Sequence, residues 1–147
     1  VTYTLEAGYG LGAVVAGAGF LLNNEMGDFN GMPGLTDTTG LIGTAPNVAR
    51  PGKRMLSSMT PTILARDGKL VAVVGSPGGR TIINTVLQVV LNHVDHGMGI
   101  ADAVNAPRFH HQWLPDRIAA ERDALPPATV AALEAMGHRV RLAGRQG

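Results

Sequence analysis

Apolar residues recur along this chain in two patterns, short continuous runs and a helical repeat, and each predicts an element. Thr62-Ile63-Leu64-Ala65 and Lys69-Leu70-Val71-Ala72-Val73-Val74 flank Asp67-Gly68, a dipeptide suited to a type I′ turn. An antiparallel hairpin is predicted there. Its second run leads into Gly75-Ser76-Pro77-Gly78-Gly79, after which Ile83, Val86, Leu87, Val90 and Val94 mark one helical face and Asn84, Gln88 and Asn92 another. A glycine turn thus feeds a helix. Free amides at such a start, backed by the positive end of the helix dipole, favour negative charge at the turn.

Shorter patterns fill in the rest. Residues 100–105 read as a helix stopped by Pro107, and residues 126–136 as another, with Gly137 in the left-handed C′ position. Phe20-Leu21-Leu22 reads as a short strand that delivers Glu25-Met26-Gly27-Asp28-Phe29 to a turn or helix start carrying two carboxylates. Residues 30–52 hold Pro33, Pro46, Pro51 and several glycines and threonines, which predicts a long surface loop, either a lid over a pocket or a disordered connector. Val1-Thr2-Tyr3-Thr4-Leu5 has strand composition from its first residue, and His138-Arg139-Val140-Arg141-Leu142 is a second strand that trails into Gly144-Arg145-Gln146-Gly147. Both ends look cut, so the chain is expected to be an excised piece. Strands with two or three helices and no internal repeat predict one layered α+β domain over residues 1–147.

Composition narrows the chemistry. A length of 147 residues suits a single domain, and a net charge of +1 gives no field able to recruit nucleic acid or an anionic membrane. Cysteine is absent, which excludes a disulfide framework, a thiol nucleophile and a thiolate metal site, and leaves the compartment open. No run is long and apolar enough to span a membrane. The turn at residues 75–81 lacks the register and lysine of a phosphate-binding loop, and Gly8-Tyr9-Gly10-Leu11-Gly12 fails the dinucleotide fingerprint. His93 and His96 sit three apart on the predicted helix and His110 and His111 are adjacent, but no carboxylate spacing completes a ligand set, so packing roles are expected. What remains is Leu56-Ser57-Ser58-Met59-Thr60-Pro61-Thr62 before the hairpin and Gly78-Gly79 after it. Two hydroxyls and two glycine amides of this kind can grip a carboxylate and a developing oxyanion.

Five blocks in order carry a family resemblance: Val1-Thr2-Tyr3-Thr4-Leu5; Leu21-Leu22-Asn23-Asn24-Glu25-Met26-Gly27-Asp28-Phe29; Lys53-Arg54-Met55-Leu56-Ser57-Ser58-Met59-Thr60-Pro61-Thr62; Gly75-Ser76-Pro77-Gly78-Gly79; and Asn105-Ala106-Pro107-Arg108-Phe109-His110-His111-Gln112-Trp113. Together they resemble the small subunit of the gamma-glutamyltransferase family. The resemblance implies an N-terminal nucleophile hydrolase fold, an αββα sandwich of which this chain is a part, and a precursor that cleaves itself to expose a threonine. In the family that threonine lies shortly before the Val-Thr-Tyr-Thr segment, so this polypeptide alone is expected to be inactive. A large subunit of the same precursor is the implied partner, expected to supply an arginine for the substrate's α-carboxylate, and no metal or organic cofactor is implied. A periplasmic or extracellular location is implied by the resemblance only.

Carried over position by position, Thr4 resembles the threonine that hydrogen-bonds the nucleophile, although a β-branched strand residue is the plain alternative. Glu25 and Asp28 match the acids that hold the α-ammonium of a γ-glutamyl substrate, against the alternative of a solvated turn. Ser57 and Ser58 match the hydroxyl pair that donates to the α-carboxylate, against turn-making before a strand. Gly78 and Gly79 match the oxyanion hole. Two positions depart from the pattern. Glu6 stands where familiar members often carry asparagine, so Glu6, Glu25 and Asp28 are expected to crowd three carboxylates together. Thr39 falls where lidded relatives carry a gating aromatic, which is expected to admit water and favour hydrolysis over transfer. The implied activity is cleavage of γ-glutamyl amides such as glutathione through an acyl-threonine. An acylase of the same fold with a different acyl group, or a non-catalytic ligand-binding scaffold, are the alternatives.

Overall fold

The hairpin forms as predicted in the computed structural model, which describes residues 3–30, 32, 34, 36–38, 40 and 42–147. Strands β1 (Thr62–Arg66) and β2 (Lys69–Val74) pair antiparallel, and their connection places Asp67 at φ +52° and Gly68 at φ +74°, as a type I′ turn requires. The register runs from Thr62 opposite Val74 to Arg66 opposite Lys69, with an irregularity between Leu64 and Ala65. This hairpin lies in the second of two compact units, Val1–Ser57 and Ser58–Gly147.

Beyond β2, a 3₁₀ turn at Gly79–Thr81 runs into α1 (Ile82–Val94), and α2 (Ile100–Asn105) packs against α1. The predicted stripe on α1 requires correction. Ile82, Val86 and Val89 are the buried apolar residues, whereas Ile83 and Leu87 are about half exposed in this chain. The helix is apolar on more than one side, so a repeat count alone does not choose the face that is buried. Ala103, Ile118 and Ala120 complete the buried apolar set of this unit.

A second sheet has the order β3-β4-β5: β3 (Phe109–His110) antiparallel to β4 (Ile118–Ala120), and β4 parallel to β5 (Val140–Leu142). The parallel pair is joined through α3 (Pro127–Ala135), as a crossover demands. Gly137, at φ +94°, ends α3: its N–H donates to the Glu134 carbonyl at 2.9 Å and the His138 N–H to the Leu133 carbonyl at 3.0 Å. That is a Schellman motif, and it explains why β5 starts at Val140 rather than His138.

The polar face of α1 holds β3 in place. The Gln88 side-chain amide donates to the Phe109 carbonyl at 2.8 Å and accepts from the Phe109 N–H at 3.1 Å, serving that residue as a ladder partner would. Asn84 Nδ2 donates to His110 Nδ1 at 2.9 Å, which leaves His110 Nε2 to donate to Gln112 Oε1 at 2.8 Å. Gln88→Ala is therefore expected to lower unfolding stability by about 1 kcal/mol, the usual scale for partly exposed hydrogen bonds, readable as a shift of the denaturant midpoint. An unchanged midpoint would show that water replaces the amide at no cost.

Arg108, only 4% exposed, ties the C-terminal stretch down. It donates to the carbonyls of Gln146, at 2.6 Å, and Val104, and pairs with Glu121 at 3.6 Å.

In the first unit, the expected strand at residues 1–5 is not a ladder. Val1 and Thr2 lie outside the described residues, and Tyr3, Thr4 and Leu5 carry no strand assignment. They are stitched to residues 21–25 instead, by the Tyr3 hydroxyl donating to the Leu21 carbonyl and by Asn24 N–H to the Leu5 carbonyl at 3.4 Å. The expected strand at Phe20-Leu21-Leu22 reduces to a single antiparallel bridge between Val14 and Leu21. Glycines at positive φ on both sides of it, Gly12, Gly17 and Gly19, turn the backbone too often for a longer ladder. Within residues 30–52, Asn30 bridges Val48 and Ala45–Asn47 forms a 3₁₀ turn, while the gating position Thr39 lies outside the described residues. Among the described residues, no helix is long and apolar enough to cross a membrane.

Candidate active site

The first unit gathers acids. A 3₁₀ turn at Glu25–Asp28 presents both carboxylates, and one oxygen each from Glu6, Glu25 and Asp28 lies within 4.8 Å of the others. Local backbone chemistry accounts for this arrangement. Asn23 Oδ1 accepts the Glu25 N–H at 3.1 Å, capping the turn, and Asn24 Oδ1 accepts the Ala7 N–H at 3.1 Å, drawing residues 4–7 alongside. Glu6 adopts φ +68°, a left-handed conformation uncommon for such a residue.

Within the cluster the three acids differ. Glu25 is 4% exposed, Asp28 is partly buried and Glu6 faces solvent. Thr4 Oγ1 donates to Glu25 Oε1 at 2.6 Å. A hydroxyl has one proton, so this bond leaves the Thr4 lone pairs free to accept. Three like charges this close, one of them withdrawn from water, form a place where a cationic group is favoured.

Asn47 lies between this turn and the serine segment, and sequence reasoning did not single it out. Its side chain is buried and donates to the Asp28 carbonyl at 2.6 Å and to Asn30 Oδ1 at 3.3 Å, while its Oδ1 accepts the Leu56 N–H at 3.0 Å. Ser57, the next residue, closes the first unit and is exposed. In the sequence Asn47 is one polar residue among many in a proline-bearing loop, with no pattern to mark it. Asn23 and Asn24 did carry a signal, since asparagines directly before a turn are its usual caps.

The second unit holds Ser58, Gly78 and Gly79. Ser58 is partly buried and its carbonyl accepts from Thr60 Oγ1 at 3.0 Å. The pairing of Thr62 with Val74 sends the segments bearing Ser58 and Gly78 out of the same open end of the hairpin. At that turn Gly78 takes φ +132° and ψ 10°, and Gly79 takes φ +56°. The Gly78 carbonyl is consumed, accepting from Thr81 N–H at 3.1 Å and Thr81 Oγ1 at 3.0 Å. Among the described residues, no hydrogen bond uses the N–H of Gly78 or of Gly79. A Cβ on Gly78 would collide with the Thr81 hydroxyl, whereas one on Gly79 would meet nothing.

Three of the five histidines are engaged elsewhere: His93 with the Met98 carbonyl at 2.9 Å and His111 with Asp116 at 3.2 Å, besides the His110 pair described above. Among the described residues, none of them joins a cluster with metal-ligand spacing.

Comparison with known proteins places this geometry in context. The model of the gamma-glutamyltranspeptidase family matches residues 1–147. The glutathione hydrolase proenzyme of Escherichia coli (strain K12) is 51% identical over the whole chain, and that of Pseudomonas sp. (strain A14) is 48% identical over 95% of it. The chain spans about a quarter of the length of these relatives, 25% and 24% respectively. A crystal structure of a Helicobacter pylori gamma-glutamyltranspeptidase mutant superposes with a TM-score of 0.87 at 49% identity, covering all of this chain and 79% of that one. The fold is therefore part of an N-terminal nucleophile hydrolase. On a match that runs from the first residue to the last, the chain belongs to the gamma-glutamyltranspeptidase family.

Proposed function

We propose that the complete protein containing this chain cleaves γ-glutamyl amides of the glutathione type and passes the γ-glutamyl group to water or an amine. The observation that carries this reading is the carboxylate cluster of Glu6, Glu25 and Asp28, with a buried Glu25 holding the Thr4 hydroxyl at 2.6 Å. Glu25 and Asp28 hold the substrate's α-ammonium, with Glu6 at the rim of the cluster. Ser57 and Ser58 donate to its α-carboxylate. Charge-assisted contacts of this kind select an amino-acid end over a plain acyl chain.

The nucleophilic threonine and an arginine for the α-carboxylate come from the rest of the precursor, whose large subunit is the partner; the chain alone is inactive. The threonine Oγ attacks the γ-carbonyl carbon while its proton passes to the threonine's own α-amine. Before attack, Thr4, its proton committed to Glu25, accepts from the nucleophile's hydroxyl and places its oxygen; that bond is given up as the proton turns to the α-amine. The Gly78 and Gly79 N–H groups donate to the tetrahedral oxyanion. That proton next moves to the departing nitrogen as the carbon–nitrogen bond breaks, leaving an ester. Water or an amine attacks the ester, loses a proton, and restores the threonine hydroxyl.

The test compares three p-nitroanilides on the complete enzyme: γ-glutamyl, glutaryl, which lacks the ammonium, and 4-aminobutyryl, which lacks the α-carboxylate. Each missing grip is expected to lower kcat/KM by about tenfold or more, the scale of a charged hydrogen bond. Equal turnover of the glutaryl substrate would point to an acylase, and binding without turnover to a scaffold. With Thr39 at the gating position, free glutamate is expected to exceed transfer product when a dipeptide acceptor is present. Measuring the two products with and without acceptor decides this, and a transfer-dominated ratio would overturn it.

A further inference from the structure

We infer that Asn47 is a positioning residue that sets the spacing between the ammonium grip at Asp28 and the carboxylate grip at Ser57. The inference rests on the function proposed above and adds a residue to it. Three stretches far apart in sequence meet at this one amide. Its nitrogen holds the Asp28 carbonyl at 2.6 Å and Asn30 Oδ1 at 3.3 Å, and its oxygen holds the N–H of Leu56 at 3.0 Å, one residue before Ser57. Both of its protons and one of its oxygen lone pairs are therefore committed.

The surroundings keep that amide from swinging away. Asn47 is 6% exposed, and its own carbonyl accepts the Asn30 N–H at 3.0 Å. Asn30 Nδ2 in turn donates to the Thr44 carbonyl at 2.6 Å and to Thr44 Oγ1 at 2.9 Å, at the residue before the Ala45–Asn47 turn. Asn30 and Asn47 thus brace each other at the base of the loop. The bonds to Asp28 and Leu56 are both to backbone, so they fix where those residues sit without themselves engaging the Asp28 carboxylate or the Ser57 hydroxyl.

An α-amino acid carries its ammonium and carboxylate on one carbon, so the two grips must sit a fixed distance apart to be used together. A ligand that uses only one grip is indifferent to that distance. This difference separates positioning from general stabilisation. Loosening the whole unit would harm every substrate alike.

The complete enzyme carrying Asn47→Ala or Asn47→Asp is assayed with the γ-glutamyl, glutaryl and 4-aminobutyryl anilides. Asn47→Ala is expected to raise KM for the γ-glutamyl substrate about tenfold with kcat within about threefold, and to change kcat/KM for the other two by less than about twofold. Asn47→Asp keeps the acceptor for Leu56 N–H but loses the donors to Asp28 and Asn30, so a KM rise of about threefold or more, on the γ-glutamyl substrate alone, is expected. Should the alanine variant fail to fold, the aspartate variant decides. An unchanged KM, or a proportional loss on all three substrates, overturns the inference. A wild-type enzyme that treats the three substrates alike would sink the two-grip reading itself, before any variant is made.

Discussion

Replacing Gly78 by valine is expected to lower turnover of the complete enzyme by about a hundredfold to a thousandfold, the loss of about 2.7–4 kcal/mol that follows removal of one oxyanion donor. The cause is steric and conformational. Gly78 occupies φ +132°, where an L side chain is strained, and its added Cβ would strike the Thr81 hydroxyl that donates to the Gly78 carbonyl. Relieving the strain at that φ turns the peptide, and the N–H groups at the turn move with it. Gly79→Ala is the matched control. Gly79 sits at φ +56° with open space around the added carbon, so its cost is the left-handed penalty of about 1–2 kcal/mol with the N–H still aimed correctly. Turnover, soluble yield and unfolding midpoint measured on both variants decide the matter. If Gly78→Val loses yield and turnover in equal measure, the turn is structural and the oxyanion role is lost.

At Glu25, glutamine and alanine are expected to give different kinetic signatures. Glu25→Gln keeps an oxygen able to accept the Thr4 hydroxyl, now at 2.6 Å, and removes one of three clustered charges. KM for the γ-glutamyl substrate should rise by less than about tenfold with kcat nearly unchanged, because on the function proposed above Asp28 and Glu6 still face the ammonium. Glu25→Ala removes the acceptor as well. The Thr4 hydroxyl is then free to rotate and no longer holds the nucleophile in one orientation, so kcat should fall by a further factor of about ten to a hundred. Identical kcat values for the glutamine and alanine variants would show that Glu25 acts on the ammonium alone.

Much of this organisation was legible in the residues, for reasons that differ from element to element. Asp67-Gly68 announces its turn because few other dipeptides tolerate two positive φ angles in succession, and the observed +52° and +74° are the same constraint seen in space. Residues 100–105 and Gly137 were readable through proline and glycine punctuation. The α1 stripe was not, because Ile82, Ile83, Val86, Leu87 and Val89 are all apolar and only tertiary packing selects among them. The segment at Tyr3-Thr4-Leu5 has strand composition, yet its side-chain anchors are those of Tyr3 and Thr4, which no periodicity encodes. The crowding of Glu6 with Glu25 and Asp28 was expected from family resemblance, and the geometry brings them together. Asn47 left no trace because its significance lies in three partners distant in sequence.

The hairpin of β1 and β2 has a practical consequence for anyone handling this segment by itself. Ile63, Leu70 and Val73 are each about 70% exposed, on a two-stranded ribbon that has no third strand among the described residues. Greasy ribbon borders with open peptide groups template the addition of another copy. Produced as these 147 residues alone, the chain should therefore self-associate, and its light scattering should climb steeply with concentration.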